Sequence, residues 1–145
     1  MSTTYISVEL RRLVKNRANE RCEYCHISED LTVNGCEVDH IVAEKHGGAT
    51  IAENLAYACF FCNRNKGSDL CSYKPNTQEF VRFFNPRIDT WDEHFAWDDA
   101  DGITVQPLSD IGMVTVRLFG FNTPSRLQER RLQYNFEQTA ENTLF

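Results

Sequence analysis

The stretch that decides the fold begins with Cys22-Glu23-Tyr24-Cys25 and ends with Cys59-Phe60-Phe61-Cys62-Asn63-Arg64-Asn65-Lys66-Gly67. Between the two come Val38-Asp39-His40-Ile41, Gly47-Gly48 and Glu53-Asn54-Leu55. Each CxxC presents two sulfurs from one tight knuckle, and two knuckles complete a tetrahedral shell of soft ligands. Cys22, Cys25, Cys59 and Cys62 are therefore predicted to hold structural zinc, which would contribute directly to folding. A pair of disulfides, or unrelated buried thiols, is the alternative. The gap from Cys25 to Cys59 is long for a zinc finger, but long enough to thread two strands between the ligands.

Around this stretch the pattern predicts a compact ββα unit. Cys36 to Val42 alternates loosely and suits a short strand ending near His40. Lys45 to Thr50 reads as a loop. Asn54 to Ala58 reads as a second strand or turn, and Asn63 to Asp69 as the start of a helix. Upstream, Ser7 to Glu20 reads as an amphipathic helix, with Val8, Leu10, Leu13, Val14 and Ala18 on one face. Downstream of Lys74-Pro75 the chain becomes aromatic-rich at Phe80, Phe83, Phe84, Trp91, Phe95 and Trp97. Ile103 to Pro107 reads as a strand. Ser109 is placed to cap a helix from Asp110 to Leu118 that ends at Gly120. Pro124 opens a further helix to about Glu141.

The fold class expected is α+β, in one domain over residues 1–145. Its core spans about 5–75, and a mostly helical extension over 76–145 packs on that core. The second half has too few aliphatic residues to look independent. No run of apolar residues is long enough to span a membrane. The N-terminus lacks a signal-peptide pattern, so a cytoplasmic protein is expected. In that reducing compartment CxxC pairs hold metal more often than they form disulfides. A redox role for the thiols lacks the βαβ context it needs.

The net charge of −6 does not advertise nucleic-acid binding. Its distribution is more informative: residues 1–75 carry −1 and residues 76–145 carry −5. Basic clusters at Arg11, Arg12, Lys15, Arg17 and Arg21, and at Arg64 and Lys66, lie in the first half. A locally basic face on an acidic protein can bind phosphates, and a solvated helix face is the other reading of the first cluster.

Hydrolysing a phosphodiester needs an activated water, a Lewis acid and a stabilised leaving oxygen. His40 is a suitable base near neutral pH. Asp39 and Asn63 offer the hard oxygen ligands a divalent cation takes. Asn54 is placed to fix the imidazole through its amide. Asp39 and His40 are neighbours, so they serve one site only if the strand twists or turns there.

These motifs, in this order, closely resemble the HNH endonucleases, which have a ββα-metal fold and often a four-Cys zinc site. The resemblance covers roughly residues 5–70. It implies His40 as general base, Asp39 and Asn63 as ligands of a catalytic magnesium or manganese, and Asn54 as the residue that orients His40. It further implies a hydrolase acting on DNA, most simply double-stranded, that leaves 5′-phosphate and 3′-hydroxyl ends. Asn63 departs from the more strongly ligating His used by many members. Phe84 to Arg87, His94-Phe95 and Ile111-Gly112 look like an extension found in bacterial members.

Arg64, Lys66 and His46 are the candidate phosphate contacts. His94 reads as a packed or surface histidine, His26 as a dispensable substitute ligand, and Cys36 and Cys71 both as buried or partly buried free thiols. Cutting both strands takes two sites, hence a homodimer or two visits. The competing reading is a catalytically inactive zinc module that binds nucleic acid.

Overall fold

Three helix starts carry a side-chain cap. In this computed structural model, which describes residues 4–143, the Ser7 hydroxyl accepts from the Leu10 amide and opens α1 (Val8–Arg17). The Ser109 hydroxyl does the same for Gly112 and opens α4 (Asp110–Phe119), which Gly120 closes in the left-handed conformation. Such side-chain caps satisfy amides that have no partner within the helix.

Strand β1 (Cys36–His40) pairs antiparallel with β2 (Leu55–Cys59), with Cys36 opposite Cys59 and His40 opposite Leu55. β2 is buried along its whole length. α2 (Phe60–Lys66) follows it without a loop. The helix expected from Asn63 thus begins three residues earlier. Cys59 is its N-cap, and its sulfur accepts from the Cys62 amide at 3.5 Å. The second knuckle is the first turn of this helix.

The aromatic-rich stretch forms small elements. β3 (Cys71–Tyr73) pairs with β4 (Phe80–Arg82), and α3 (Trp91–His94) leads into β5 (Phe95–Trp97), which pairs with β6 (Val105–Pro107). The chain after residue 75, expected as mostly helical, therefore mixes three short strands with α3, α4 and α5 (Pro124–Thr143). The result is α+β, with three separate two-stranded sheets among the described residues.

One buried cluster joins both halves: Cys22, Tyr24, Cys25, Cys59 and Cys62 pack with Phe83, Phe95, Phe119 and Phe121. A second, smaller cluster holds Ile6, Val14, Leu55 and Tyr57 under α1. Only part of the expected apolar face of α1 is used. Val14 is fully buried, with Leu10 and Ala18 packed beside it, whereas Val8 and Leu13 are exposed. The stripe at i, i+4 and i+8 meets β2, and the two outer residues fall off that stripe. No helix among the described residues is long and apolar enough to cross a membrane.

Candidate active site and four-cysteine centre

Four cysteine sulfurs, all fully buried, lie within 4.8 Å of one another: those of Cys22, Cys25, Cys59 and Cys62. The first knuckle is closed by the His26 amide donating to the Cys22 carbonyl. It is bolted to β2 through Glu23, whose amide donates to the Tyr57 carbonyl and whose carboxylate accepts from the Tyr57 amide, each at 2.8 Å. Arg87 pairs with the same carboxylate, and the Trp91 indole donates to the Tyr24 carbonyl.

All four thiols are free rather than disulfide-bonded. Cys25 and Cys59 sulfurs stand 3.7 Å apart. That is close to the edge of a tetrahedron built on zinc–sulfur bonds of about 2.3 Å. One further group tests the fit. The Arg126 guanidinium, 2% exposed, sits among the sulfurs, with Nη2 at 2.8 Å from Cys25 and 3.3 Å from Cys59. A buried cation needs an anionic partner, and thiolates supply it. Burial pushes the Cys22 and Cys62 thiols up. At Cys25 burial is outweighed by hydrogen bonds from the other three cysteines and by Arg126, which hold it well below its usual range. The cluster is compatible with structural zinc.

Beside this centre runs a groove of about 1430 Å³. β1 supplies its floor with Glu37, Asp39 and His40, α2 one wall with Asn63 and Arg64, and α1 the other with Arg11, Arg12 and Lys15. Asp39 and His40 reach one groove because His40 is the last residue of the strand, where regular alternation ends. Asn63 Nδ2 donates to Glu37 Oε2 at 3.5 Å, which leaves the amide oxygen for another partner.

Behind Asp39 lies Lys66. It was expected at the surface as a phosphate contact, but it is 4% exposed and its ammonium has no hydrogen-bond partner among the described residues. The short helix turns it inward. Burial raises the Asp39 carboxyl and Lys66 opposes that rise; burial likewise lowers the Lys66 ammonium against the pull of Asp39 and Asp69.

The His40 imidazole is 4% exposed, and its Nε2 lies 2.8 Å from Thr50 Oγ1. Thr50, not Asn54, thus touches the ring. Asn54 clamps the backbone that follows His40: its oxygen accepts from the Val42 amide at 3.0 Å, and its Nδ2 donates to the Val42 and Ala49 carbonyls, each at 2.9 Å. Gly47 closes the short helical turn Glu44–His46 with φ +89°, a conformation glycine adopts freely. At Gly48 a Cβ would meet the Val42 carbonyl oxygen at 1.8 Å, so the chain passes too tightly for a side chain. His46 is exposed, with Nε2 near the Ser68 carbonyl at 3.1 Å. Arg64 is exposed on α2, its guanidinium over the Phe60 ring. His94 is half-buried against Phe84 and Phe95, as expected of a packing residue.

Residues 22–69 match the HNH endonuclease family model. The match covers about a third of the chain and runs from the first zinc-type ligand to just past α2, taking in Asp39, His40, Asn54 and Asn63. No curated protein and no solved structure matches the chain. Within the HNH segment, sequence reading missed Thr50 and the burial of Lys66; outside it, Arg126. Threonine in a loop has no distinctive pattern. Arg126 falls in a charged helical run that looks like a solvent face.

Proposed function

We propose that this protein is a metal-dependent HNH endonuclease that hydrolyses phosphodiester bonds in double-stranded DNA. The observation that carries the reading is that Asp39, His40 and Asn63 line one groove, beside the four-cysteine cluster, within a segment matching the HNH family. In this reading β1, β2 and α2 are the ββα-metal core, and residues 1–145 work as one domain in the cytoplasm.

Asp39 and the Asn63 amide oxygen would hold magnesium or manganese, which when bound draws electron density from the scissile phosphate and stabilises the leaving 3′ oxygen. The carboxylate and amide are the hard donors such a cation takes; burial raises the Asp39 carboxyl, and Lys66 behind it offsets part of that rise. Cys22, Cys25, Cys59 and Cys62 would hold the structural zinc.

His40 acts as general base. With Nε2–H donating to the Thr50 hydroxyl oxygen, Nδ1 carries the lone pair and takes the proton from the attacking water. Asn54 keeps the imidazole in position indirectly, by holding the chain at Val42 two residues on. Arg64 and His46 contact phosphates flanking the cut. The products carry 5′-phosphate and 3′-hydroxyl ends. One groove makes one nick, so a double-strand break takes a homodimer or two visits.

The test is nicking of supercoiled plasmid by zinc-loaded protein, with magnesium, manganese or EDTA. Wild type nicks only with the cation, and folded His40→Ala does not nick. Nicking that persists in EDTA or in His40→Ala refutes the mechanism. DNA binding without turnover under any cation points instead to an inactive zinc module.

A further inference from the structure

Helix α5 buries a face with no hydrocarbon side chain on it. Its buried residues are Arg126, Glu129, Arg130 and Gln133. Their spacing of three, four and seven puts them on one stripe, and each is tied by polar bonds. Glu129 accepts from the Thr32 hydroxyl and the Val33 amide, each at 3.1 Å. Gln133 accepts from the Ser28 amide at 2.6 Å. Arg130 donates to the Ile103 carbonyl and lies over the Trp97 ring. Apolar burial is therefore not what holds this helix at these four positions.

The deepest member of the stripe is Arg126. Its Nη2 approaches three sulfurs, those of Cys25, Cys59 and Cys62, at 2.8, 3.3 and 3.6 Å. Its Nη1 donates to the Phe119 carbonyl at 3.4 Å, and the Phe61 ring lies 5.0 Å from its charge centre. Among the described residues, none of its hydrogen bonds goes to a carboxylate. Four thiolates around a divalent cation leave two net negative charges in a fully buried site, and such charge is costly unless compensated. A planar guanidinium carries the compensating charge and several donors at once.

We infer that Arg126 is the charge-compensating and positioning residue of the four-cysteine metal centre, and that through it the metal holds α5 on the body of the protein. The inference rests on the four cysteines binding a metal. Coupling of this kind is reciprocal: what the metal gives the helix, the helix gives the metal. Partners one layer out from the ligands commonly alter metal affinity 10- to 100-fold.

The experiment compares the 145-residue wild type with Arg126→Met, Arg126→Lys and Glu129→Gln. Three readouts are taken: zinc transfer to a chromophoric chelator, amide exchange across residues 124–143, and the sulfur-to-metal charge-transfer band of the cobalt-loaded protein. Arg126→Met should release zinc at least about 10-fold faster and exchange the α5 amides faster. N–H bonds to sulfur lower the energy of its lone pairs, so their loss moves the cobalt band to lower energy.

Arg126→Lys keeps the charge without the fork and should fall between. Glu129→Gln loosens the same helix without touching sulfur and should leave the band in place. Should Arg126→Met fail to fold, Arg126→Lys decides by the same three readouts. Unchanged zinc release and an unmoved band in the folded Arg126 variants overturn the inference, as does an equal band shift in Glu129→Gln. Wild type that takes up neither zinc nor cobalt sinks both the inference and the metal reading beneath it.

Discussion

Replacing Gly48 with alanine tests whether the loop after His40 is held by the contacts described. The added Cβ would sit 1.8 Å from the Val42 carbonyl oxygen, 2.6 Å from its carbon and 2.8 Å from Asn54 Nδ2. Two of the three atoms are backbone, so no side-chain rotation relieves the clash. Reaching an ordinary contact of 3.4 Å requires the strands of the loop to part by about 1.6 Å. That opens the three Asn54 hydrogen bonds that join Val42 to Ala49.

At roughly 0.5–1.5 kcal/mol each, their loss destabilises the protein by about 2–4 kcal/mol. For a chain of this size that lowers Tm by roughly 5–15 °C. Thr50 lies on the displaced segment, so His40 loses its positioning partner. A misplacement of about 1 Å at a reacting group slows turnover on the order of 100-fold. Thermal unfolding of the zinc-loaded protein and the initial rate of plasmid nicking measure both effects. Gly47→Ala is the control: its Cβ meets open space, and only φ +89° is strained, a penalty of about 1–3 kcal/mol. Gly48→Ala with the Tm and nicking rate of wild type would refute the reasoning.

Three further outcomes are expected. Thr50→Val keeps the shape but removes the oxygen at His40 Nε2; it should lower kcat about 10-fold, in line with a lost hydrogen bond of about 1.4 kcal/mol, with KM little changed and Thr50→Ser near wild type. Asp39→Ala should abolish manganese binding at the groove, read by titration calorimetry, while bound zinc stays stoichiometric; retained manganese affinity counts against Asp39 as ligand. The third concerns pH. Arg82 makes a two-point hydrogen bond to Asp89, at 2.7 and 2.8 Å, which holds that carboxyl below its usual range. A depressed acid contributes stability above its unfolded value near 3.9, lost as pH falls through the folded one. Arg82 is partly solvated, so Arg82→Met should be less stable by about 1 kcal/mol at neutral pH, with the gap closing below about pH 4; a gap constant down to pH 3 contradicts the pairing.

What the sequence made legible was chemistry with fixed local spacing. A CxxC must be a knuckle, and two of them imply a shared site, so the cluster of four sulfurs was readable without coordinates. The Ser109 cap and the Gly120 stop were readable because capping depends on residues within one turn; Ser7, read as part of α1, is its cap. Contacts far apart in sequence were not. Arg126 lies 101 residues from Cys25, and nothing in a run such as Arg126 to Arg131 distinguishes a buried guanidinium from a solvated one. Lys66 illustrates the same blindness: its inward turn depends on where α2 begins, and that was set by a cysteine sulfur acting as cap. β3 to β5 escaped notice because three-residue strands carry too little alternation to register; β6, equally short, was readable because Ile103 and Thr104 extend the alternation ahead of it. Asn54 was assigned to the right neighbourhood but the wrong partner, since an amide in a loop gives no sign of which carbonyl it will meet.

The two remaining cysteines differ in a way that has a practical use. Cys36 is half-buried opposite Cys59, and burial pushes its thiol up, away from the reactive thiolate. Cys71, expected to be buried or partly buried, stands exposed instead, because the short β3–β4 hairpin turns it outward. A maleimide dye at neutral pH should therefore attach at one position, leaving the clustered sulfurs untouched. The unmodified sequence carries its own attachment point for a fluorophore, with which the proposed binding of a nucleic acid can be timed.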